Sequence, residues 1–323
     1  MALVTLDELR EAQRRIAGVA VRTPLMPCPW ADRPWGSLHL KPENLQPTGA
    51  FKIRGAYNRL AALTAEERAR GVVAQSSGNH AQAVAYAARE LGIKAVIVMP
   101  DTSPEVKVEN TRSYGAEVIL VDMTQRDDLP RELVERHGYV WVPPYDDPYV
   151  IAGQGTTGLE ISDDAAALDL DLQTVLVPVS GGGLISGVAT ALKLTTPGVR
   201  IIGVEPALAG DAAESFRAGE RRTWPHADTY RTIADGLRTT SLGELPWEHV
   251  QAYVDDIVTV SEEEIAEAVA VLARRGRLVA EPSGAVATAA YLFHGEELPG
   301  SRFAAVVSGG NVEPALLARI LAM

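Results

Sequence analysis

Lys52 stands where a lysine can do more than carry a surface charge. It lies in the segment Glu43-Asn44-Leu45-Gln46-Pro47-Thr48-Gly49-Ala50-Phe51-Lys52-Ile53-Arg54-Gly55-Ala56. Pro47 and Gly49 break the extended run Leu38-His39-Leu40-Lys41 that precedes it, and Thr48 is a candidate cap for the next element. Ile53, Ala56, Tyr57 and Leu60 recur at helical spacing, so the sequence predicts Lys52 in the first turn of a helix. Unpaired backbone N–H groups there make the potential positive and disfavour an ammonium. An amine of lowered pKa can form a Schiff base with an aldehyde cofactor. The ordinary alternative is a solvated surface lysine, and this segment alone leaves the two evenly balanced.

Three glycine-bearing turns tip the balance. Ser76-Ser77-Gly78-Asn79-His80 follows the strand-like Gly71-Val72-Val73-Ala74-Gln75. Ser180-Gly181-Gly182-Gly183-Leu184-Ile185-Ser186-Gly187 follows Thr174-Val175-Leu176-Val177-Pro178-Val179. Ser308-Gly309-Gly310-Asn311 follows Phe303-Ala304-Ala305-Val306-Val307. Each reads strand, glycine turn, helix, an order that offers N–H groups at a helix start to a phosphate or carboxylate. One such turn is explained by the turn itself; three together with a helix-start lysine are not.

These segments resemble the pyridoxal-phosphate enzymes of fold type II, the tryptophan synthase β-like class, and within it the threonine dehydratase and serine racemase branch. Glu43 to Ala56, Ser76 to Gln82, Ile151-Ala152-Gly153-Gln154-Gly155-Thr156, Ser180 to Gly187, Glu281-Pro282-Ser283-Gly284 and Ser308 to Asn311 match in order, over nearly the whole chain. The resemblance implies an α/β fold of two domains, each a mainly parallel twisted sheet flanked by helices, with pyridoxal 5′-phosphate in the cleft between them. It makes Lys52 the cofactor lysine and, once freed, a base on one face of the substrate Cα. It sets Phe51 against one face of the cofactor ring and Gly236 against the other. Ser180, Gly181, Gly182, Gly183 and Leu184 become the phosphate cradle, and Asn79 the contact to the phenolic oxygen. The loop Ser76, Ser77, Asn79 and His80 becomes the seat of the substrate carboxylate; His80 on its own reads more readily as structural. Ser308 becomes the partner of the ring nitrogen. A neutral hydroxyl does not keep a proton there as a carboxylate would, which weakens the electron sink and favours loss of a β-substituent.

Two features separate the activities of the branch and point in opposite directions. Racemases carry Ser-Ser-Gly-Asn-His, with the second serine as acid/base opposite the lysine, and Ser76-Ser77 follows that pattern. Pro144-Tyr145-Asp146-Asp147 instead resembles the dehydratases. The expected activity is dehydration of a small hydroxy amino acid, L-threonine or L-serine, with side racemisation of serine. Serine racemase and a 3-hydroxyaspartate dehydratase or racemase are the alternatives. The resemblance also implies a divalent cation, Mg or Ca, held by Glu205 and Asp211 with the Ala209 carbonyl, a set of oxygen ligands that suits those ions. Spacing alone reads them as two solvated carboxylates. A dinucleotide-binding oxidoreductase would need G-x-G-x-x-G, which the glycine turns lack, and a non-catalytic binding protein would have little use for Lys52.

The elements that must position these residues are legible in outline. Strand candidates at 71–75, 94–99, 116–121 and 139–142 alternate with helical stretches and suggest a small domain over 71–146. Candidates at 38–41, 174–179, 200–205, 256–260 and 302–307 assign 1–70 and 147–323 to a large domain. The stretch 219–250, with its Trp and Pro residues, reads as an irregular excursion. Thr5 with Glu8, and Ser261 with Glu264, are expected capping boxes. With 323 residues, 46% of them hydrophobic, the chain can bury large cores. A net charge of −12 and no basic run longer than two residues argue against nucleic acid as partner. No apolar run approaches the roughly 18 residues that span a bilayer, so no membrane association is expected. The N-terminus does not read as a signal peptide, and one cysteine, Cys28, fits a reducing cytoplasm. The expected assembly is a homodimer. Members of the family under allosteric control carry a C-terminal regulatory domain; no segment here matches one, so that control is expected to be absent.

Overall fold

Uninterrupted apolar runs build the sheet centres, as expected for parallel strands covered on both faces. The computed structural model describes residues 2–76, 78–103, 105–122, 125 and 128–323. Its strands are β1 (Met26–Pro27), β2 (Ser37–Pro42), β3 (Val72–Gln75), β4 (Ala95–Pro100), β5 (Glu117–Val121), β6 (Val140–Trp141), β7 (Thr174–Pro178), β8 (Arg200–Pro206), β9 (Asp256–Val260) and β10 (Arg302–Val307). Among the described residues they form two sheets, ordered β1-β2-β10-β7-β8-β9 and β5-β4-β3-β6. Every pairing is parallel except β1 with β2. The fold is α/β, two mainly parallel sheets flanked by helices. In β10, Phe303, Ala305 and Val307 enter one core while Ala304 and Val306 enter the core on the opposite face, so the strand alternates between two buried layers. Truncating a buried ring such as Phe303 costs about 3–5 kcal/mol.

Helix starts obey local capping chemistry. Both expected capping boxes form, Thr5 with Glu8 and Ser261 with Glu264. The helix Pro148–Ala167 has Asp147 as N-cap and Pro148 in its first turn. Glycines let three helices touch backbone to backbone. A Cβ on Gly153 would strike Arg54 and Gly55 of the helix Lys52–Ala61, and one on Gly187 of the helix Gly183–Thr195 would strike Ile151 and Gly155. A mid-helix glycine costs up to about 1 kcal/mol; here it fixes the lysine-bearing helix and the glycine-loop helix on a common support.

One expectation needed correction, and one strand was not foreseen. The stretch 219–250 is not wholly irregular, because the helix Glu244–Tyr253 begins inside it. Pro246 looks like a breaker but sits in the first turn, where proline is tolerated. Strand β1, two residues on the antiparallel edge, carries too little pattern to be read from sequence. Among the described residues no helix is long and apolar enough to cross a membrane.

Candidate active site

The helix Lys52–Ala61 starts from the Phe51 backbone with no side-chain cap. Thr48 is therefore not the cap; its hydroxyl is buried, without a partner among the described residues. The preceding turn is instead tied to the end of β10. Phe51 N donates to Ser308 O at 3.0 Å, Gly310 N to Gly49 O at 2.8 Å, and Asn311 Nδ2 to Thr48 O at 2.9 Å. Lys52 and Ser308 are thereby held side by side.

Lys52 Nζ donates to the carbonyl oxygen of Pro144 at 2.7 Å and lies 5.1 Å from the Phe51 ring centre. Burial pushes its pKa down to about 8. The lowered pKa was expected, and desolvation in the cavity wall lowers it. Two residues on, the buried Arg54 guanidinium donates to Glu43 at 2.7 and 2.8 Å and to Glu160 at 2.7 and 2.8 Å. Lys41 Nζ also reaches Glu160, at 2.6 Å. Two cations and two carboxylates thus close a charge-balanced network under the first turn.

In the second glycine-bearing loop, Gly78 N donates to Ser76 Oγ at 3.1 Å. The helix Asn79–Leu91 starts at Gly78 without a side-chain cap, which leaves first-turn N–H groups for an anion. Ser77 lies outside the described residues. His80 is buried, and its Nε2 donates to Val142 O at 2.9 Å. Burial and the nearby Lys52 push its pKa down to about 3, so it remains neutral and anchors the loop. Asn79 is pinned from both ends: Oδ1 accepts from Asn311 Nδ2 at 2.8 Å and Nδ2 donates to Glu281 Oε1 at 2.5 Å.

Glu281 is a site residue that sequence reasoning missed. Burial and the charge of Asp235 raise its pKa to about 8. Asp235 pairs with Lys107 of the helix Glu105–Ser113, joining the two sheet-bearing parts of the chain across the cleft. The segment Glu281-Pro282-Ser283-Gly284 matches the family, but an acid before a proline-started helix is common and the match alone gave Glu281 no role. Ser283 was missed as well. Its Oγ accepts from Gly236 N at 2.8 Å, and its carbonyl accepts from Ser308 Oγ at 3.4 Å.

The third loop comes after β7. Ser180 and Gly182 adopt φ of +55° and +90°, alternating with their neighbours so that successive N–H groups converge as in an anion nest. Gly182 starts the helix Gly183–Thr195 without a side-chain cap. The glycines also serve packing. A Cβ on Gly181 would collide with the Tyr145 ring, one on Gly183 would lie 2.8 Å from Tyr145 Cβ, and one on Gly182 would lie 2.7 Å from Leu242 and Pro246.

All these loops meet at one cavity of about 440 Å³, within the range of small-molecule sites. Phe51, Lys52, Ser76, Asn79 and His80 are among its lining residues, as are Ser180 to Leu184, Gly236 and Ser308. A second concavity of about 230 Å³, beside Trp30 and Arg33, shares no lining residue with it. The residues suit a phosphate-bearing aldehyde. They offer an amine of lowered pKa, an anion nest and a hydroxyl at the end of β10.

Glu205 and Asp211 are both buried, at 1% exposure each, against the expectation that such carboxylates are solvated. Glu205 Oε2 accepts from Ala212 N and Ala213 N, each at 3.0 Å. Among the described residues, Glu205 Oε1 and both Asp211 carboxylate oxygens have no hydrogen-bond partner. Burial raises both pKa values, and Asp211 raises that of Glu205 further. Buried acceptors without donors suit a cation. Ala209 lies in the short turn Ala207–Ala209 between them. Among the described residues no three His, Cys, Asp or Glu side chains cluster as a metal site, so any ion here would rest on two carboxylates and backbone.

Comparison with known proteins agrees with this geometry. The chain is 44% identical over 322 residues to the L-threonine ammonia-lyase of Thermotoga maritima, covering 99% of this chain and 78% of that one. It is 41% identical over 316 residues to the L-threo-3-hydroxyaspartate ammonia-lyase of Saccharomyces cerevisiae, covering 97% and 95%. The solved structure of maize serine racemase superposes with a TM-score of 0.92 at 40% identity, covering 99% and 98%. The model of the family described as pyridoxal-phosphate dependent enzyme matches residues 16–309. With that match spanning most of its length, and with the lysine, nest and hydroxyl gathered in one cavity, this chain belongs to the pyridoxal-phosphate dependent enzymes.

Proposed function

We propose that the protein is an ammonia-lyase that dehydrates L-threonine or L-serine to a 2-oxo acid and ammonia, with side racemisation of serine. The observation that carries this reading is the convergence of Lys52, the Ser180–Leu184 nest and Ser308 on one cavity. Pyridoxal 5′-phosphate, when bound, supplies an electrophile for the substrate amine and an electron sink for the carbanion. Lys52 holds it, Ser180 to Leu184 seat its phosphate, Phe51 and Gly236 flank its ring, and Asn79 and Ser308 contact the phenolic oxygen and the ring nitrogen. Asn79 is pre-oriented for this by Asn311 and Glu281. The Ser76–His80 loop fixes the substrate carboxylate at a helix start. Lys52, with its lowered pKa, takes the Cα proton at neutral pH. A hydroxyl at Ser308 rather than a carboxylate favours loss of the β-hydroxyl over prolonged carbanion life.

A second reading, serine racemase or a 3-hydroxyaspartate dehydratase or racemase, is favoured by Ser76-Ser77 and by the named activity of the yeast relative. The same proposal includes a Mg or Ca ion at Glu205, Ala209 and Asp211, supported by the partnerless carboxylate oxygens. It also takes 71–146 as a small domain beside a large domain of 1–70 and 147–323, supported by the separate sheets. A cytoplasmic homodimer completes it, on the family resemblance and the lone buried Cys28. The test is a panel of L-threonine, L-serine and 3-hydroxyaspartate given to the cofactor-loaded protein, assayed for 2-oxo acid and for D-serine. Keto acid from L-threonine and L-serine is expected. Racemisation without keto acid, or keto acid from 3-hydroxyaspartate alone, would select the second reading, and no turnover of any of the three would overturn both.

A further inference from the structure

The helix Glu244–Tyr253 begins at Gly243, which has no side chain to cap it. Its cap comes from a residue about a hundred positions earlier. Asp146 Oδ2 accepts from Glu244 N at 2.9 Å and Asp146 Oδ1 from Leu245 N at 3.0 Å. Gly243 makes room for this, because a Cβ there would lie 2.9 Å from Asp146 Cγ. The two residues before Asp146 belong to the site. Pro144 O receives Lys52 Nζ, the Tyr145 ring lies against Gly181, and the Tyr145 Cβ and backbone lie against Gly183. On its other side the glycine loop meets Leu242 and Pro246, and Gly243 N donates to Gly181 O at 3.1 Å. The nest is thus gripped between Tyr145 and the start of this helix, and Asp146 joins the two jaws. Asp147 fixes the far end of the linker by capping Val150 N at 3.0 Å and pairing with Arg59 at 3.1 Å.

We infer that Asp146 is a positioning residue for the phosphate cradle, acting through the start of the helix Glu244–Tyr253 and through Tyr145 without touching the cofactor itself. The inference rests on the reading of Ser180 to Leu184 as that cradle. It separates Asp146 from an ordinary surface helix cap, whose loss would lower stability without selecting among ligands.

The test is equilibrium binding to the cofactor-stripped protein, monitored by absorbance and fluorescence. Pyridoxal 5′-phosphate and pyridoxal, which lacks the phosphate, are titrated into wild type, Asp146→Ala and Asp146→Asn. Asp146→Ala should raise the Kd for pyridoxal 5′-phosphate about fivefold, the change that corresponds to a cap of about 1 kcal/mol. Pyridoxal binding should change less than twofold. Asp146→Asn keeps one acceptor oxygen and should fall between. Equal weakening for both ligands, or none for either, would overturn the inference while wild type still binds the cofactor. Failure of wild type to prefer pyridoxal 5′-phosphate over pyridoxal would instead remove the cradle on which the inference stands.

Discussion

Arg54 and Glu160 form a two-pronged ion pair inside the protein, Nη1 to Oε1 at 2.7 Å and Nη2 to Oε2 at 2.8 Å. The same guanidinium binds Glu43 through its other edge. Arg54 is the second residue after Lys52, so this network sets the rotation of the first helical turn. Removing one partner of a buried pair leaves uncompensated charge and costs about 3–5 kcal/mol. Arg54→Met should lower unfolding free energy by that order in denaturant titration and weaken cofactor retention in the same preparation. A stable variant that holds cofactor as wild type does would show that Lys52 is positioned without Arg54.

Much of this site is legible in the sequence because its parts are local. Strand, glycine turn and helix succeed one another directly at Gly78 and Gly182, and the chemistry of each turn can be read there; the turn Ser308-Gly309-Gly310-Asn311, expected to do the same, is followed by a helix only from Pro314, with Glu313 as its N-cap residue. The features that escape depend on partners far along the chain. The helix Glu244–Tyr253 reads as loop because its cap is Asp146 and not a neighbour. Thr48 has the type and spacing of a cap, yet the turn is secured by Ser308 and Asn311 instead. Glu281 gains its raised pKa only from burial beside Asp235, which no linear pattern encodes. The acidic pair Glu205 and Asp211 reads as solvated from spacing and is buried in the fold.

Burial of Lys52 should appear in the pH dependence of cofactor capture. Only the neutral amine attacks a carbonyl. With a pKa of about 8, the rate of pyridoxal 5′-phosphate capture by the stripped protein should rise about tenfold per pH unit below that value and level off above it. Stopped-flow absorbance measures this, and an inflection near the ordinary lysine value of about 10.4 would contradict the burial argument. The linkage has a definite sign. The unfolded chain binds more protons than the folded one between about 8 and 10.4, so this group's contribution to stability rises with pH across that window. Lys52→Ala should abolish capture while leaving the fold intact.

Ser77 tests the division between elimination and racemisation. One lysine can remove the Cα proton from one face only, and racemisation needs a second acid/base on the other. Elimination needs no such group. Ser77→Ala should therefore remove D-serine formation and use while sparing much of the 2-oxo acid production from L-threonine, as read by chiral chromatography beside a keto-acid assay. Equal loss of both activities would make Ser77 a substrate-positioning residue, and surviving racemisation would require a different second base.

The acidic pair makes a prediction that runs in two directions. Among the described residues, Glu205 Oε1 and both Asp211 oxygens lack donors, so without a cation the two buried carboxylates repel each other and remain undersolvated. A six-coordinate ion would take an oxygen from each, the Ala209 carbonyl and about three waters. Adding Mg or Ca at about a hundred times its Kd should stabilise wild type by about 2.7 kcal/mol, visible as a rise in Tm of a few degrees. Asp211→Asn removes a charge from the pair and supplies an amide donor toward Glu205. In chelator it should therefore melt above wild type, yet gain nothing when the ion is added. Crossing melting curves are the expected signature. A wild type whose Tm ignores both chelator and cation, with no ion found by metal analysis, would return Glu205 and Asp211 to a purely structural role.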